Sequence, residues 1–136
     1  MCAQGKRLTG RILLANGDQQ VQQTVGLVAS KYGYELIQAT TGAEAIDLTA
    51  SLQPDLVVLD TVLPDAAGGD ILERLKADAR TALIPVVLWS GGRKESEDER
   101  ELALERGAED YVEMINAQLL LRRLERVLRR YGAHAR

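Results

Sequence analysis

Short apolar runs alternate along the chain with longer segments in which apolar residues recur at helical spacing. Each run has the length of a buried strand and ends in polar or glycine-containing sequence. The intervening segments place apolar residues three or four positions apart, as in helices that pack one face on a core. We predict strands at 11–15, 34–39, 55–60, 84–89 and 109–113.

Capping signals define the first two helices. Asp18 is placed to cap the first helix, which Gly33 ends. Thr41 and Glu44 have capping-box spacing and start a second helix that runs to about Leu52.

The remaining three helices are predicted from their apolar residues. A loop with Pro64, Gly68 and Gly69 precedes the third helix, and the fourth runs from about Glu95 to Arg106. The third helix turns inward Ile71, Leu72 and Leu75, and one face of the last presents Leu120, Leu124, Val127, Leu128 and Tyr131.

A strand followed by a helix, repeated five times, indicates an α/β fold. We expect a doubly wound, five-stranded parallel sheet with helices on both faces. The fifth strand is less apolar and should lie near an edge. We assign 10–131 to a single domain, 1–9 to an N-terminal tail and 132–136 to a C-terminal tail.

Composition narrows the class of protein. The chain has 136 residues, 46% of them hydrophobic, which suffices for a core without disulfides or metal. Its single cysteine, Cys2, excludes a disulfide framework and favours the reducing cytoplasm. No apolar run is long enough to span a membrane. A net charge of −3 argues against nucleic acid as a partner of this domain.

Candidate chemistry follows the strands, because ligands of open α/β sheets bind beyond the carboxyl ends of the strands. Asn16, Gly17 and Asp18 follow the first strand, Asp60 ends the third, and Ser90 follows the fourth. A carboxylate in the place of Asp60 can act as a nucleophile, a metal ligand or a helix cap.

Three motifs in this order resemble the receiver domains of two-component response regulators. They are PDLVVLDTVLPDAAGG (54–69), IPVVLWSG (84–91) and GAEDYV (107–112). The resemblance runs from about Arg11 to Tyr131 and implies a flavodoxin-like, receiver-type fold. It also implies that Asp60 is the phosphoacceptor, Ser90 the switch hydroxyl and Tyr111 the switch aromatic residue.

The resemblance further implies a phosphorelay. A sensor histidine kinase or a phosphotransfer protein, or a small phosphodonor, would supply the phosphoryl group. In the family, acids after the first strand hold a magnesium ion, and a lysine after the fifth strand pairs with the acyl phosphate.

This chain departs from the family at both charged groups. Asn16 and Gly17 replace the acids, and Met114 replaces the lysine. Magnesium would then rely on Asp60 and the backbone carbonyl of Val62, so we expect weak binding. Asp18 should point into the helix start, and Lys94, the last lysine of the chain, should be solvated. We therefore expect phosphorylation of Asp60 to be slow or absent.

Several other functions are compatible with the sequence. One is a pseudo-receiver, a protein–protein interaction module that works without phosphate. Another is a phosphatase of the haloacid-dehalogenase type, although Val62 stands where that family has a second acid. A nucleotide-binding Rossmann domain is disfavoured because the first turn lacks the glycine fingerprint. Otherwise we expect no enzyme activity beyond self-phosphorylation and dephosphorylation at Asp60.

Charge is unevenly distributed near the C-terminus. Residues 93–101 read RKESEDERE, whereas six arginines and one acid follow Asn116. Solvated helix faces would explain both segments. Alternatively, the acidic stretch 95–101 of one copy could face Arg122, Arg126 and Arg129 of another, giving a homodimer or an output-partner surface on the last two helices.

Overall fold

The computed structural model describes residues 10–94, 96–113 and 116–131, and these residues form five parallel strands and five helices. The predicted tails, Cys2 and Met114 lie outside the described residues. The strands are β1 (Arg11–Ala15), β2 (Glu35–Ala39), β3 (Leu56–Asp60), β4 (Val86–Trp89) and β5 (Asp110–Val112). The helices are α1 (Gln19–Lys31), α2 (Gly42–Leu52), α3 (Gly68–Ala77), α4 (Glu97–Glu105) and α5 (Ala117–Tyr131).

The strand order is β2-β1-β3-β4-β5, with every neighbouring pair parallel. The chain therefore moves outward from β1 to β2, then crosses back to β3 on the other side of β1. This reversal makes the carboxyl ends of β1 and β3 the topological switch point of the sheet. The predicted edge position of the fifth strand is confirmed.

Two apolar layers cover the two faces of the sheet, which confirms the predicted fold class. One layer joins alternate strand residues, such as Leu14 and Val58, to α1 and α5. The other joins the intervening residues, such as Leu13 and Val57, to α2, α3 and α4. Successive residues of a strand point to opposite faces, so strands covered on both faces are apolar almost throughout.

Gln22 is a fully buried polar residue that joins the strand ends to α1. Its Nε2 donates to the backbone carbonyls of Leu14, Asn16 and Ala39, at 2.9, 3.1 and 3.0 Å. These carbonyls lie at or just beyond the carboxyl ends of β1 and β2. One side chain thus fixes α1 against the edge of the sheet at which the candidate site lies.

Two local predictions were wrong. Gly68 and Gly69 belong to the first turn of α3 rather than to the loop before it. A Cβ on Gly68 would lie 2.3 Å from the carbonyl oxygen of Asp60, so only glycine fits this approach of α3 to β3. Tyr131 is 49% exposed rather than part of the apolar face of α5, because its hydroxyl reaches out to the carboxylate of Glu109.

None of the helices among the described residues is long and apolar enough to cross a membrane.

Candidate functional site

Asp60 lies at the topological switch point, as the sequence predicts. It is the last residue of β3 and is only 9% exposed. Asn16, the residue after β1, donates from Nδ2 to Asp60 Oδ2 at 3.1 Å. The structure therefore brings together two of the residues that the sequence singled out after different strands.

Local hydrogen bonds fix the orientation of both side chains. Asn16 Oδ1 accepts from the backbone N–H of Asp18 at 2.8 Å, which turns the amino group of the amide toward Asp60. Asp60 Oδ1 accepts from the backbone N–H of Val62 at 3.1 Å. Both carboxylate oxygens of Asp60 thus receive hydrogen bonds from fixed groups.

Arg93 supplies the positive charge at this site. Its Nη2 makes a close ion pair with Asp60 Oδ1 and donates to Thr61 Oγ1 at 2.9 Å. The side chain of Asp60 is 12% exposed and that of Arg93 is 46% exposed. A carboxylate with so little access to water requires charge compensation, and this guanidinium provides it from the loop after β4.

A double-glycine turn brings Arg93 to Asp60. Gly91 and Gly92 have φ angles of 65° and 92°, in the left-handed region that glycine adopts without strain. The N–H of Arg93 then donates to the carbonyl of Ser90 at 3.3 Å, which closes the turn. The chain direction reverses over the end of β3.

Arg93 was not predicted from the sequence. Lys94 was predicted to be a solvated side chain, and it is indeed exposed. The missed signal was the Gly91-Gly92 pair directly before Arg93, because two glycines let the chain fold back toward the strand ends.

Ser90 is fully buried beside this turn. Its N–H donates to the carbonyl of Val112 at 2.9 Å, but its hydroxyl oxygen has no hydrogen-bond partner within the described residues. Leaving a buried hydroxyl unsatisfied costs about 1–3 kcal/mol, which an incoming oxygen acceptor would recover. This geometry is compatible with the role predicted for Ser90.

Tyr111 lines a cavity between α3 and α4 that Asp60 does not border. The residue is 2% exposed and lies in the apolar layer under α3 and α4. The guanidinium carbon of Arg100 lies 5.7 Å from the ring centroid, within the range of a cation–π contact. The cavity measures about 290 Å³ and is bordered by Leu102 and Arg106. Its position is compatible with a switch role transmitted to α4.

An open cleft leads from solvent to Asp60. It has a volume of about 570 Å³ and lies between α1, the loop after β4 and the start of α5. Val21, Val25 and Trp89 form its apolar side, while Asp60 and Arg93 are among its polar groups. A small phosphorylated group therefore has a route to the carboxylate.

The side chains around Asp60 do not fit a magnesium ion. Magnesium requires near-octahedral oxygen ligands. Asn16 presents an amino group to Asp60, and Asp18 uses Oδ1 to cap α1 through the N–H of Gln20 at 2.8 Å. Within the described ranges, no three His, Cys, Asp or Glu side chains are grouped as metal ligands. The Arg93 guanidinium on Oδ1 would in addition repel a divalent cation.

The Pro64 ring leaves little room for a metal-binding side chain at position 17. A Cβ at this position would lie 3.0 Å from Cγ and 3.3 Å from Cδ of the Pro64 ring. An acid at Gly17 would thus require a shift of a few tenths of an ångström by the β3–α3 loop.

Asp65 is a second residue that the sequence analysis missed. Its two carboxylate oxygens accept from the N–H groups of Gly42 and Ala43 at 2.7 and 3.0 Å. These backbone hydrogen bonds, with that of Gly42 the stronger, hold the pKa of Asp65 below its usual value. Asp65 thereby ties the loop that follows Asp60 to the first turn of α2.

The family model described as "Response regulator receiver domain" matches residues 12–125. This chain belongs to that family.

Sequence relatives of this receiver domain include transcription regulators. It is 32% identical over 122 residues to the phosphate regulon transcriptional regulatory protein PhoB of Pseudomonas aeruginosa, covering 89% of this chain and 52% of PhoB. It is 33% identical over 121 residues to the DNA-binding dual master transcriptional regulator RpaA of Synechocystis sp., covering 88% and 49%. The chain thus spans about half the length of these relatives.

Solved receiver structures have the same fold. The receiver domain of the Francisella response regulator 1452 superposes with a TM-score of 0.80 at 23% identity, covering 90% of this chain and 98% of that one. The receiver domain of sensor histidine kinase PA1611 from Pseudomonas aeruginosa, solved with magnesium coordinated in its active-site cleft, gives 0.76 at 20% identity, covering 89% and 98%. At these identities the similarity establishes the fold.

The two backbone hydrogen bonds that Asp65 accepts predict that part of the stability of the fold is lost in acid. An Asp whose folded-state pKa is lowered stabilises the fold above the unfolded pKa of about 3.9, and that contribution is lost as pH falls through the folded-state pKa. We expect Asp65→Ala to lower the thermal unfolding midpoint near neutral pH. The difference from the wild type should shrink below about pH 4. Asp65→Asn, which keeps one acceptor oxygen and does not titrate, is the matched control. A difference between wild type and Asp65→Ala that persists unchanged into acid would contradict the assignment.

Proposed function

We propose that this receiver domain accepts a phosphoryl group at Asp60, slowly, from a sensor histidine kinase or a phosphotransfer protein in the cytoplasm. The observation that carries the proposal is the combination of an open cleft at Asp60 with one compensating cation among the described residues, Arg93. Beyond its own phosphorylation and dephosphorylation, the domain catalyses no reaction.

Charge balance explains why the transfer is slow. Phosphoryl transfer depends on positioning and on compensation of the charge on the phosphoryl oxygens. In the family, a divalent ion and a lysine supply that compensation. Here the guanidinium of Arg93 supplies it, and in the resting state the same group neutralises the nucleophile. Magnesium adds little because Gly17 contributes no ligand.

The Arg93–Asp60 ion pair also favours a second candidate function, the phosphate-independent interaction module. Asp60, already paired with Arg93, can hold the β4–α4 loop in one position without being phosphorylated. In that case Asp60 is a structural acid, and the domain works through its surface alone.

Labelling by a small phosphodonor separates these two functions. Wild-type protein incubated with magnesium and the donor should gain the mass of one phosphoryl group slowly, and Asp60→Asn should gain none. Gly17→Asp should label about tenfold faster, because it restores a magnesium ligand. Gly17→Asn is the matched control, since it brings the same bulk against Pro64 without the charge. No labelling of the wild type or of Gly17→Asp would favour the interaction module.

We further propose that two copies associate through α4, β5 and α5. The exposed arginines Arg122, Arg126 and Arg129 pair with no acid among the described residues. Exposed acids of α4, among them Glu97 and Glu101, have the opposite charge. Arg123 is not counted in this interface, because it binds Asp110 of its own chain through two hydrogen bonds of 2.8 and 2.7 Å.

Light scattering tests the dimer. We expect a mass near that of two chains at high protein concentration and low salt, falling toward one chain as salt screens the charges. Arg126→Glu should weaken association, whereas Lys31→Glu, an equal charge change on α1, should not. A monomeric mass under all conditions would contradict the proposal.

A further inference from the structure

We propose that Arg93 replaces the metal ion at this site, so that a phosphoryl group on Asp60 is bound without magnesium by the Arg93 guanidinium. This inference rests on the proposed role of Asp60 as phosphoacceptor. It goes further by naming the group that binds the phosphoryl oxygens and by removing the requirement for a metal.

The hydrogen bonds of Arg93 leave it free to take up an anion. Only Nη2 is engaged, with Asp60 Oδ1 and Thr61 Oγ1. Nε and Nη1 make no hydrogen bond to any described residue and retain three N–H protons. A guanidinium with unused donors on a second edge can bind phosphoryl oxygens while Thr61 still holds Nη2.

The position of Arg93 gives those donors access to the incoming group. The side chain is 46% exposed and lines the cleft that opens onto Asp60. A phosphoryl group attached to Asp60 would therefore enter a space bordered by the guanidinium. The buried hydroxyl of Ser90, which has no partner within the described residues, lies at the end of the adjacent strand and can satisfy one further oxygen.

The chemical step balances with the groups named. A carboxylate oxygen of Asp60 forms the new bond to phosphorus as the donor's P–N or P–O bond breaks. The leaving group departs with that electron pair and takes its proton from water. Arg93 stays protonated throughout and shifts from the carboxylate, which loses its charge, to the phosphoryl oxygens, which carry it. No oxidant, reductant or metal enters the balance.

Trifluoroberyllate binding provides a test that does not depend on the rate of transfer. This complex binds a carboxylate oxygen and mimics a tetrahedral phosphoryl group. Protein and buffers are stripped of divalent metal on a chelating resin, beryllium and fluoride are added, and bound trifluoroberyllate is followed by ¹⁹F NMR. We expect binding in the stripped sample and less than about a twofold gain when magnesium is added back.

Variants then assign the binding to Arg93. Arg93→Gln should weaken binding by about tenfold or more, because it removes the charge and most of the donors. Arg93→Lys should retain part of the affinity. Lys94→Gln, a change of equal charge at the exposed neighbouring residue, should bind within about twofold of the wild type. Circular dichroism confirms that each variant is folded.

Two results would overturn the inference. One is binding that appears only with magnesium, and the other is binding that is unaffected by Arg93→Gln. Either would leave Asp60 as a phosphoacceptor and remove only the role of Arg93. Absence of binding under every condition would also overturn the inference, while the phosphodonor labelling would still decide the proposed function separately.

Discussion

The charge on Asp60 is the constraint around which this site is built. A carboxylate side chain that is 12% exposed at the end of a parallel strand loses most of its hydration, so folding requires other groups to compensate for it. Arg93 brings the opposite charge, and Asn16 and the N–H of Val62 add hydrogen bonds. Two of these three partners are fixed by the ends of β1 and β3, whereas Arg93 comes from a glycine turn. The position of the β4–α4 loop and the charge state of the site are therefore coupled.

The loop after Asp60 is restrained from several sides. Gly68 brings α3 against the carbonyl of Asp60, at a distance that excludes any side chain. Asp65 ties the same loop to the first turn of α2, and the Pro64 ring covers Gly17. The β3–α3 loop is thus held by several contacts, whereas the described contact of the β4–α4 loop with Asp60 is made by Arg93.

The fold could be predicted from the sequence because the strands are covered on both faces. Runs such as LVVL before Asp60 are apolar throughout. Between the runs lie segments whose apolar residues recur at helical spacing. Asp60 and Asn16 could be placed together because both end strands of a parallel sheet. Arg93 and Asp65 could not be found in this way, because each reaches its partner from a loop whose path depends on tertiary contacts. Tyr131 was misplaced because helical periodicity does not show where the end of a helix leaves the core.

Our proposal is that an internal ion pair takes the place of a metal site in this domain. Calorimetric titration of magnesium tests it most directly, with the wild type, Arg93→Gln and Gly17→Asp compared in the same buffer. We expect little or no magnesium binding to the wild type. The affinity should rise by about tenfold or more when Gly17→Asp adds a ligand and Arg93→Gln removes the competing cation. Tight magnesium binding by the wild type, unchanged by either substitution, would contradict it.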